Sequence, residues 1–490
     1  MNLSTKLSRV ALVLSLLAGG GCGKLVPPGA LVVTQVPTPG PGVPAAKDML
    51  DARYPPGSRV VLVIPPYRPL DVRVLSQGLE AAGDPVVSPD GRCVFFAGKA
   101  HGADAWQIYA AKVSGGQPKA VTSMDGGAMG AAIIATGDLV FGSPVPNVGE
   151  TWNTSRPSAL YSQSPNGKPR RLTYGPMSAL DPTALADGRI LFVSGQPNAT
   201  TGSTPHLALF TVNNDGTEVT AFAGKHDRVA FVRRPRDLLD GHVGFLASNA
   251  DALGDSWAEG VSLARPFANR GPLFSFPGAR CRSVEPGGDG TILVSLESRG
   301  VSGRSMRGSQ AVFRLVAGAQ TLPQPLFDDP AWDDIEATRV AARPKPMGHV
   351  TAIAPGKNYG TILCLDANRS TYQTAQNGNR SATARIRVLN QVGNGKVRVL
   401  GEVPVQTDGS FMAEVPADIP LGFEALDEQG QVLRRLPPMI WVRAGENRSC
   451  IGCHEPHNHS PRNARPLAAS QPPVVLGGQT GCVAIHPPAP

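Results

Sequence analysis

Residues 90–98, DGRCVFFAG, hold the pattern that decides the fold of most of this chain, an Asp-Gly turn followed by an apolar strand. Asp and Gly tolerate the positive φ that such turns require, so we assign them a structural role. Because the pattern recurs about every 50 residues, one supersecondary unit fills each interval. The later turns are Gly137-Asp138, Asp187-Gly188, Asp240-Gly241 and Asp289-Gly290.

The first three units each carry a second hairpin, and two hairpins make a four-stranded antiparallel sheet. Sheets repeated at this period are typical of β-propeller blades. Two strand-like segments flank the five units, RVVLVIPP at 59–66 and WDDIEATRVAARP at 332–344, and their pairing would close the ring. We therefore expect an all-β chain with an N-terminal propeller of about six blades. Trp106 and Trp152 are expected to pack between blades.

A smaller β domain is predicted after the propeller. The sequence ARPKP at 342–346 marks the boundary, and short apolar stretches separated by turns then indicate a small β-sandwich. Residues 23–57 are rich in proline without periodicity, which predicts an extended tether. The predicted sandwich strands are 361–366, 384–389, 397–403, 409–415, 422–426 and 439–443. The predicted organisation is a signal segment (1–22), the tether (23–57), the propeller (58–345), the β domain (346–468) and a tail (469–490).

The motif Cys450-Ile451-Gly452-Cys453-His454 follows the last predicted strand directly. Thiols at this spacing can each form a thioether with a haem vinyl group, and the next histidine is then held beneath the ring. We therefore predict one covalent haem c on a loop at the sandwich edge. Cys450 and Cys453 would attach it, and His454 would bind the iron. A structural zinc or thiol site and a surface loop without a cofactor are the alternatives.

The sixth iron ligand separates an electron carrier, which usually has two strong axial ligands, from a catalyst with an open position. The alternative role of His457 and His459 is that of solvated loop histidines, and that of Met412 and Met439 is packing in the core. The sequence leaves the choice open. The candidate side chains are His349, Met412, Met439, His457 and His459.

The N-terminus resembles a bacterial export signal. Lys6 and Arg9 precede a short apolar run, residues 10–18, which is too short to span a membrane. Small residues then lead to Cys22, which we expect to be lipidated, although Gly19 stands where such signals usually have leucine. An ordinary cleaved signal peptide is the alternative. Either signal predicts a protein of the bacterial cell envelope, facing the periplasm or anchored as an outer-membrane lipoprotein.

The charge distribution and the remaining cysteines say little about which partners the protein binds. The net charge of +8 is spread along the chain without a long basic run, so no nucleic-acid partner is predicted. We expect contact with a membrane through the lipid anchor, and a periplasmic redox or envelope protein as partner. The spacing of the other cysteines, Cys93, Cys281, Cys364 and Cys482, does not determine whether they form disulfides.

Two stretches carry a resemblance to a known family. DGSFMAEVPADIPLGFEALDEQGQVLRRLPPMIWVRAGENRSCIGCHEPHNHSPRNARPLA, with GTILCLDANRS upstream, resembles the haem-bearing middle domain of the hydrazine synthase alpha-subunit family. DPVVSPDGRCVFFAGKAHGADAWQIYAAKV is similar to the propeller of that family. The resemblance implies a propeller followed by a β domain with one c-type haem.

The sequence also departs from that family. The alpha subunit there has a further C-terminal domain with a second haem and works with two other subunits, whereas this sequence has one CxxCH motif, so we do not expect hydrazine synthesis. In that family a tyrosine shortly after the motif is implicated as the iron ligand, and the motif histidine engages zinc. Here no tyrosine follows His454, but His457 and His459 do.

Two classes of function fit these features. The first is an exported, lipid-anchored, monohaem c-type cytochrome-like protein in periplasmic redox chemistry, either as an electron carrier or as a haem oxidoreductase acting on a small molecule. The second is a binding module, in which the propeller recognises a protein or an envelope ligand and the haem is structural or sensory. A propeller by itself does not identify a function.

Overall fold

The computed structural model is all-β. The predicted signal segment with Cys22, and also Trp152, His454, His457 and His459, lie outside the residues that it describes. Within the described part of the chain, no helix has the length and apolar character needed to cross a membrane. The described residues are 26–37, 49–102, 104–145, 158–175, 177–196, 206–224, 231–249, 256–268, 270–276, 279–297, 309–370, 382–392, 396–453, 460, 463–477 and 482–483.

The propeller strands form six sheets. The closing blade begins with β1 (Leu31–Pro37), β2 (Arg59–Val63) and β3 (Arg73–Val74). The other propeller strands are β4 (Ala81–Val87), β5 (Cys93–Lys99), β6 (Gln107–Lys112), β7 (Lys119–Ala120), β8 (Met129–Ile133), β9 (Leu139–Pro144), β10 (Ser158–Gln163), β11 (Arg170–Arg171), β12 (Ala179–Ala184), β13 (Ile190–Gln196), β14 (His206–Val212), β15 (Thr220–Ala223), β16 (Phe231–Asp237), β17 (His242–Ser248), β18 (Trp257–Ser262), β19 (Gly271–Pro272), β20 (Cys281–Gly288), β21 (Thr291–Glu297), β22 (Gln310–Val316) and β23 (Trp332–Arg339). Blades 1 to 5 contain β4–β7, β8–β11, β12–β15, β16–β19 and β20–β22, and the closing blade has the order β23-β1-β2-β3.

The first strands of the blades close a ring. Strands β4, β8, β12, β16, β20 and β23 contact one another in that order, and β23 returns to β4. Strand β1 lies between β23 and β2, so the two flanking segments join in one blade, as predicted. The predicted packing of Trp106 between blades is also confirmed, because it is 3% exposed in a cluster that includes Phe141 of blade 2 and Ile335 of the closing blade.

The predicted tether is wrong for part of its length. Leu31–Pro37 is a buried strand of the propeller, and Met49–Arg53 is a short helix, α1. The strand LVVTQVP is buried at nearly every position. It therefore lacks the alternation of apolar and polar residues by which a half-exposed strand is recognised in a sequence.

A bulge in the first strand of several blades directs charged side chains to the centre of the ring. At these bulges Asp84 (φ 58°), Asp181 (φ 47°) and Arg234 (φ 51°) adopt left-handed backbone conformations. The resulting charged plug consists of Asp84, Arg234, Arg236, Glu285 and Glu336, all buried. Arg234 lies 3.0 Å from Asp84 and 2.5 Å from Glu336, and Arg236 lies 2.9 Å from Asp84 and 2.8 Å from Glu285.

The second domain is a sandwich of two sheets, as predicted. Its strands are β24 (Tyr359–Cys364), β25 (Arg385–Gln391), β26 (Val397–Pro404), β27 (Phe411–Pro416), β28 (Leu421–Leu426), β29 (Val432–Ile440), β30 (Asn447–Cys450), β31 (Val474–Val475) and β32 (Cys482–Val483). The sheet orders are β30-β24-β27-β31 and β29-β28-β25-β26-β32. A short 3-10 helix lies at Leu467–Ser470 in this domain, and another lies at Pro69–Asp71 in the closing blade of the propeller. The predicted strand 439–443 is misplaced, because the strand ends at Ile440, and β30 was not predicted.

The propeller has two distinguishable faces. The Asp-Gly turns join the first and second strands of the blades, so they lie together on one face, which we name the turn face. The second and third strands are joined on the opposite face, which we name the loop face. The linker to the sandwich crosses the turn face, where the N–H groups of Arg343 and Met347 donate to the carbonyls of Pro89 (2.8 Å) and Ala186 (3.0 Å). A Cβ at Gly188 would collide with the backbone of Met347, so this turn glycine also permits the approach of the linker.

Candidate functional site

Strand β30 carries the first cysteine of the motif to the edge of the sandwich. It is the outermost strand of its sheet and runs parallel to β24, with Cys450 paired in register with Cys364. The N–H of Leu365 donates to the carbonyl of Cys450 at 2.9 Å, and the N–H of Cys453 donates to the carbonyl of Arg369 at 2.9 Å. The segment after β24 therefore fixes both ends of the C-x-x-C loop.

The two motif thiols have the chemistry that covalent attachment requires. Cys450 is half-buried and Cys453 is 8% exposed. Thioether formation uses two cysteine side chains at this spacing, and the structure places Cys450 and Cys453 at the two ends of one loop. The donor set that the structure describes therefore fits a haem attached at Cys450 and Cys453. The predicted iron ligand, His454, lies outside the described residues.

A third cysteine lies beside the motif, and sequence reasoning did not connect it with the haem site. Cys364 is 1% exposed and faces the sandwich core, against which Cys450 also packs. Burial raises the pKa of the Cys364 thiol well above its usual value, and the neighbouring Cys450 and Cys453 thiols raise it further. The register of β24 with β30 creates this cluster of three thiols, and no spacing in the sequence reports it.

The other cysteines lie elsewhere. Cys93 is half-buried at the start of β5, and Cys281 is buried on β20, where burial raises its pKa to about 12. Both are free thiols, as is Cys364. The side chain of Cys482 lies outside the described residues. In the part of the chain that the structure describes, no group of three or more His, Cys, Asp or Glu side chains is arranged to hold a metal ion.

Arg369 fixes the two ends of the segment that contains the predicted histidine ligands. Its carbonyl accepts from the N–H of Cys453, and its Nη1 donates to the carbonyl of Ser460 at 2.8 Å. Residues 454–459 lie between these two anchors and outside the described residues. Arg369 therefore holds Cys453 and Ser460 on the same side of the sandwich.

The structure places two of the candidate sixth ligands. His349 lies on the linker, with Nε2 2.8 Å from the carbonyl of Asp187 on the turn face. Met412 is partly buried on β27 between the core residues Phe411 and Ala413. Because side chains alternate along a strand, Met412 lies on the sheet face opposite to the core face that Cys364 and Cys450 share. The side chain of Met439 lies outside the described residues.

The segment that precedes the motif, residues 441–448, is held against blade 3 of the propeller. The indole N–H of Trp441 donates to the carbonyl of Gly216 at 2.9 Å, and Arg448 donates to the carbonyl of Val219 at 2.5 Å. Arg443 donates through Nη1 to the carbonyl of Asp215, through Nε to Asp418 at 2.7 Å, and its guanidinium covers the ring of Tyr174. These contacts define the docking surface between sandwich and propeller.

Two carboxylates complete the docking surface. Asp215 accepts from the hydroxyl of Thr351 at 2.9 Å and from the N–H of Ala352 at 3.0 Å. Burial raises the pKa of Asp215, but hydrogen bonds from Thr217, Thr351 and Ala352 outweigh this effect, so the pKa lies below its ordinary value. Glu446 accepts from the N–H of Glu218 at 2.9 Å, and its burial raises its pKa despite that bond.

The comparisons with known proteins agree with this arrangement. Residues 361–455 match the family model described as the hydrazine synthase alpha subunit middle domain. Hydrazine synthase subunit alpha of Kuenenia stuttgartiensis is 23% identical over 363 residues, which cover 58% of this chain and 42% of that protein. The chain thus spans less than half the length of this curated relative.

One solved structure shows the same fold as this chain. The structure of Kuenenia stuttgartiensis hydrazine synthase matches 91% of this chain and 72% of its own chain, with a TM-score of 0.77 and 19% identity. TolB from Acinetobacter baumannii matches 55% of this chain and 61% of its own, with a TM-score of 0.37 and 12% identity.

Proposed function

We propose that this chain, a member of a hydrazine synthase alpha-like family, is an exported, lipid-anchored protein that carries one covalent haem c and acts in periplasmic redox chemistry. The loop from Cys450 to Cys453 carries the proposal, because main-chain hydrogen bonds fix both of its cysteines at a sheet edge. When bound, haem supplies one-electron chemistry at its iron. The activity of the curated relative, of which the match covers 42%, is not carried over to this chain.

The attachment chemistry needs only what the loop offers. Each thiol adds across a vinyl double bond, so that sulfur binds one carbon and the hydrogen goes to the other, without an oxidant. Cys450 ends the edge strand and is half-buried, so part of it is exposed at the sheet edge. The N–H of Cys453 donates to the carbonyl of Arg369, and this bond fixes the backbone of the second cysteine at the same edge.

His454 is the proposed proximal ligand, because a side chain next to an attached Cys453 lies beneath the ring. His349 bonds to Asp187 on the turn face, and Met412 lies on the sheet face opposite to Cys450. These positions favour His457 or His459 as further ligands, or an open coordination position.

The docking surface gives the haem loop a fixed place on the propeller. Trp441, Arg443 and Arg448 all precede the motif and all bond to main-chain carbonyls of blade 3. A redox partner that bound the propeller would therefore meet the haem at a constant distance. This arrangement supports a role in electron transfer or small-molecule catalysis beside the turn face.

The test compares the wild-type chain with the double variant Cys450→Ser, Cys453→Ser, produced with its signal in a bacterium that attaches c-type haem. We expect haem staining on a denaturing gel to disappear in the variant while the β-sheet circular dichroism remains. Cys93→Ser is the matched control, because it removes a half-buried thiol of the propeller and should keep the haem. Cys22→Ala should keep the haem but move the protein from the membrane fraction to the soluble fraction.

The haem absorption spectrum then distinguishes an electron carrier from a catalyst with an open coordination position. His454→Ala should retain covalent haem and change its spin state, and added imidazole should restore a low-spin spectrum. Binding of carbon monoxide to the reduced wild type would favour catalysis at an open position, and its absence would favour electron transfer. A wild-type chain without covalent haem would overturn the proposal and favour a propeller-based binding module.

A further inference from the structure

A cavity of about 30 Å³ lies inside the propeller, and four of the nine residues that line it are arginines. Since a single water needs roughly 10–15 Å³ of such space, the cavity has room for a group of a few heavy atoms. Four guanidinium groups and one carboxylate line it, along with Ser248 and Ser256. The charged residues are Arg53, Arg233, Arg234, Arg282 and Glu336.

One of these arginines has an unsatisfied donor. The side chain of Arg53 is 4% exposed and lies 3.6 Å from Asp181 through Nη1. Its Nη2 is buried and has no hydrogen-bond partner among the described residues. A buried N–H group without an acceptor is unfavourable, so an acceptor placed in the cavity would be stabilised.

Positive charge is concentrated on this wall of the cavity. The carboxylate that lines the cavity, Glu336, is already bound by Arg234 at 2.5 Å and by the hydroxyl of Tyr54 at 2.5 Å. Burial lowers the pKa of Arg233, the charge of Arg53 lowers it further, and Asp181 raises it. Arg53 and Arg233 are therefore close enough to repel each other, and an anion between them would relieve that repulsion.

The cavity lies on the loop-face side of the charged plug. Ser248 ends β17 and Ser256 precedes β18, so both lie near the positions where the second and third strands are joined. Arg282 lies near the start of β20, its Nη1 is 3.5 Å from Asp333, and its side chain is 22% exposed. Towards the turn face the charged plug and Arg343 of the linker close the channel; Arg343 Nη1 donates to the carbonyl of Val87 at 2.6 Å.

We propose that this loop-face cavity binds a small planar oxyanion, of the size of a carboxylate group, between the guanidinium groups of Arg53, Arg233 and Arg282. Planar guanidinium groups recognise such anions by paired N–H donors. Arg53 supplies the donor that lacks an acceptor, and Arg282 supplies a guanidinium group on the loop-face side. The site lies on the face opposite to the haem domain, so it is separate from the haem site.

The test titrates isotope-labelled formate into the purified full-length chain and follows the broadening of the formate NMR signal, with sodium chloride keeping the ionic strength constant. We expect saturable binding at one site. Arg282→Gln should weaken it at least about tenfold, because a charged hydrogen-bond partner is lost. Arg280→Gln is the matched control, since Arg280 lies two positions away, is 45% exposed and does not line the cavity.

A second variant distinguishes the effect of the planar guanidinium group from that of its positive charge. Arg53→Lys keeps the positive charge near Asp181 but removes the planar fork, so formate binding should weaken although the net charge is unchanged. This variant also serves if Arg282→Gln does not fold. Equal weakening by Arg280→Gln, binding of formate no stronger than that of chloride, or full affinity in Arg53→Lys would each overturn the proposal.

Discussion

On the turn face of the propeller, main-chain carbonyls receive hydrogen bonds from side chains of the sandwich, whereas on the loop face guanidinium groups surround a cavity. Both faces are produced by the same repeated unit. The turn face presents tight turns with exposed carbonyls, such as Gly216, which suit a second domain with arginine and tryptophan donors. The loop face presents the starts of the first strands, and the bulges within these strands place charged side chains between the two faces.

The charged plug separates these two faces. Arg234 and Arg236 of blade 4 bind carboxylates from blade 1, blade 5 and the closing blade. Burial lowers the pKa of Arg234, but Glu336, Tyr54 and Asp84 raise it well above its ordinary value. Arg234 therefore stays protonated within the plug, and the plug joins blades that are distant in sequence.

The largest expected effect comes from breaking the plug. Arg234→Met removes the partner of Asp84 and Glu336, which are both buried, and should lower the free energy of unfolding by about 3–5 kcal/mol. Urea denaturation followed by circular dichroism measures this change. Arg314→Met on β22 is the control, because Arg314 is exposed and its replacement should change stability little. Equal effects of the two variants would show that the plug does not hold the ring together.

A smaller effect is expected at the docking surface. Trp441→Phe keeps most of the buried ring but leaves the carbonyl of Gly216 without its indole donor, and should cost about 1–3 kcal/mol. Urea denaturation should show an earlier transition for the sandwich, together with faster proteolysis of the linker 341–357. Trp257→Phe, which removes a hydrogen bond within β18, should leave the linker protected. Unchanged proteolysis in Trp441→Phe would contradict the docking role.

The smallest effect concerns pH. The pKa of Asp215 is lower in the folded protein, so its stabilising contribution is present above its unfolded value of about 3.9 and is lost as the pH falls through the folded value. We expect the docking of the sandwich to weaken below about pH 4. Asp215→Asn should weaken docking at neutral pH and flatten this acid dependence, as measured by tryptophan fluorescence in urea. Asp240→Asn, in the Asp-Gly turn of blade 4, should leave the acid dependence intact.

Part of the plug was visible in the sequence but was not recognised. Asp84-Pro85, Asp181-Pro182 and Arg234-Pro235 each stand at the same distance before the Asp of the Asp-Gly turn. A charged residue before proline in a strand indicates a bulge, since proline interrupts the ladder of hydrogen bonds. The meaning of the opposite charges appears only when the ring closes, because the partners lie in different blades.

The sequence by itself determined the propeller, the sandwich and the C-x-x-C motif, because turns, strand patterns and motif spacing are local properties of the chain. Only the tertiary structure decided that β1 belongs to the propeller, that Cys364 lies beside Cys450, and that arginines of α1, β16 and β20 share one cavity. These features depend on contacts between residues far apart in sequence. Local propensity and periodicity carry no record of such contacts.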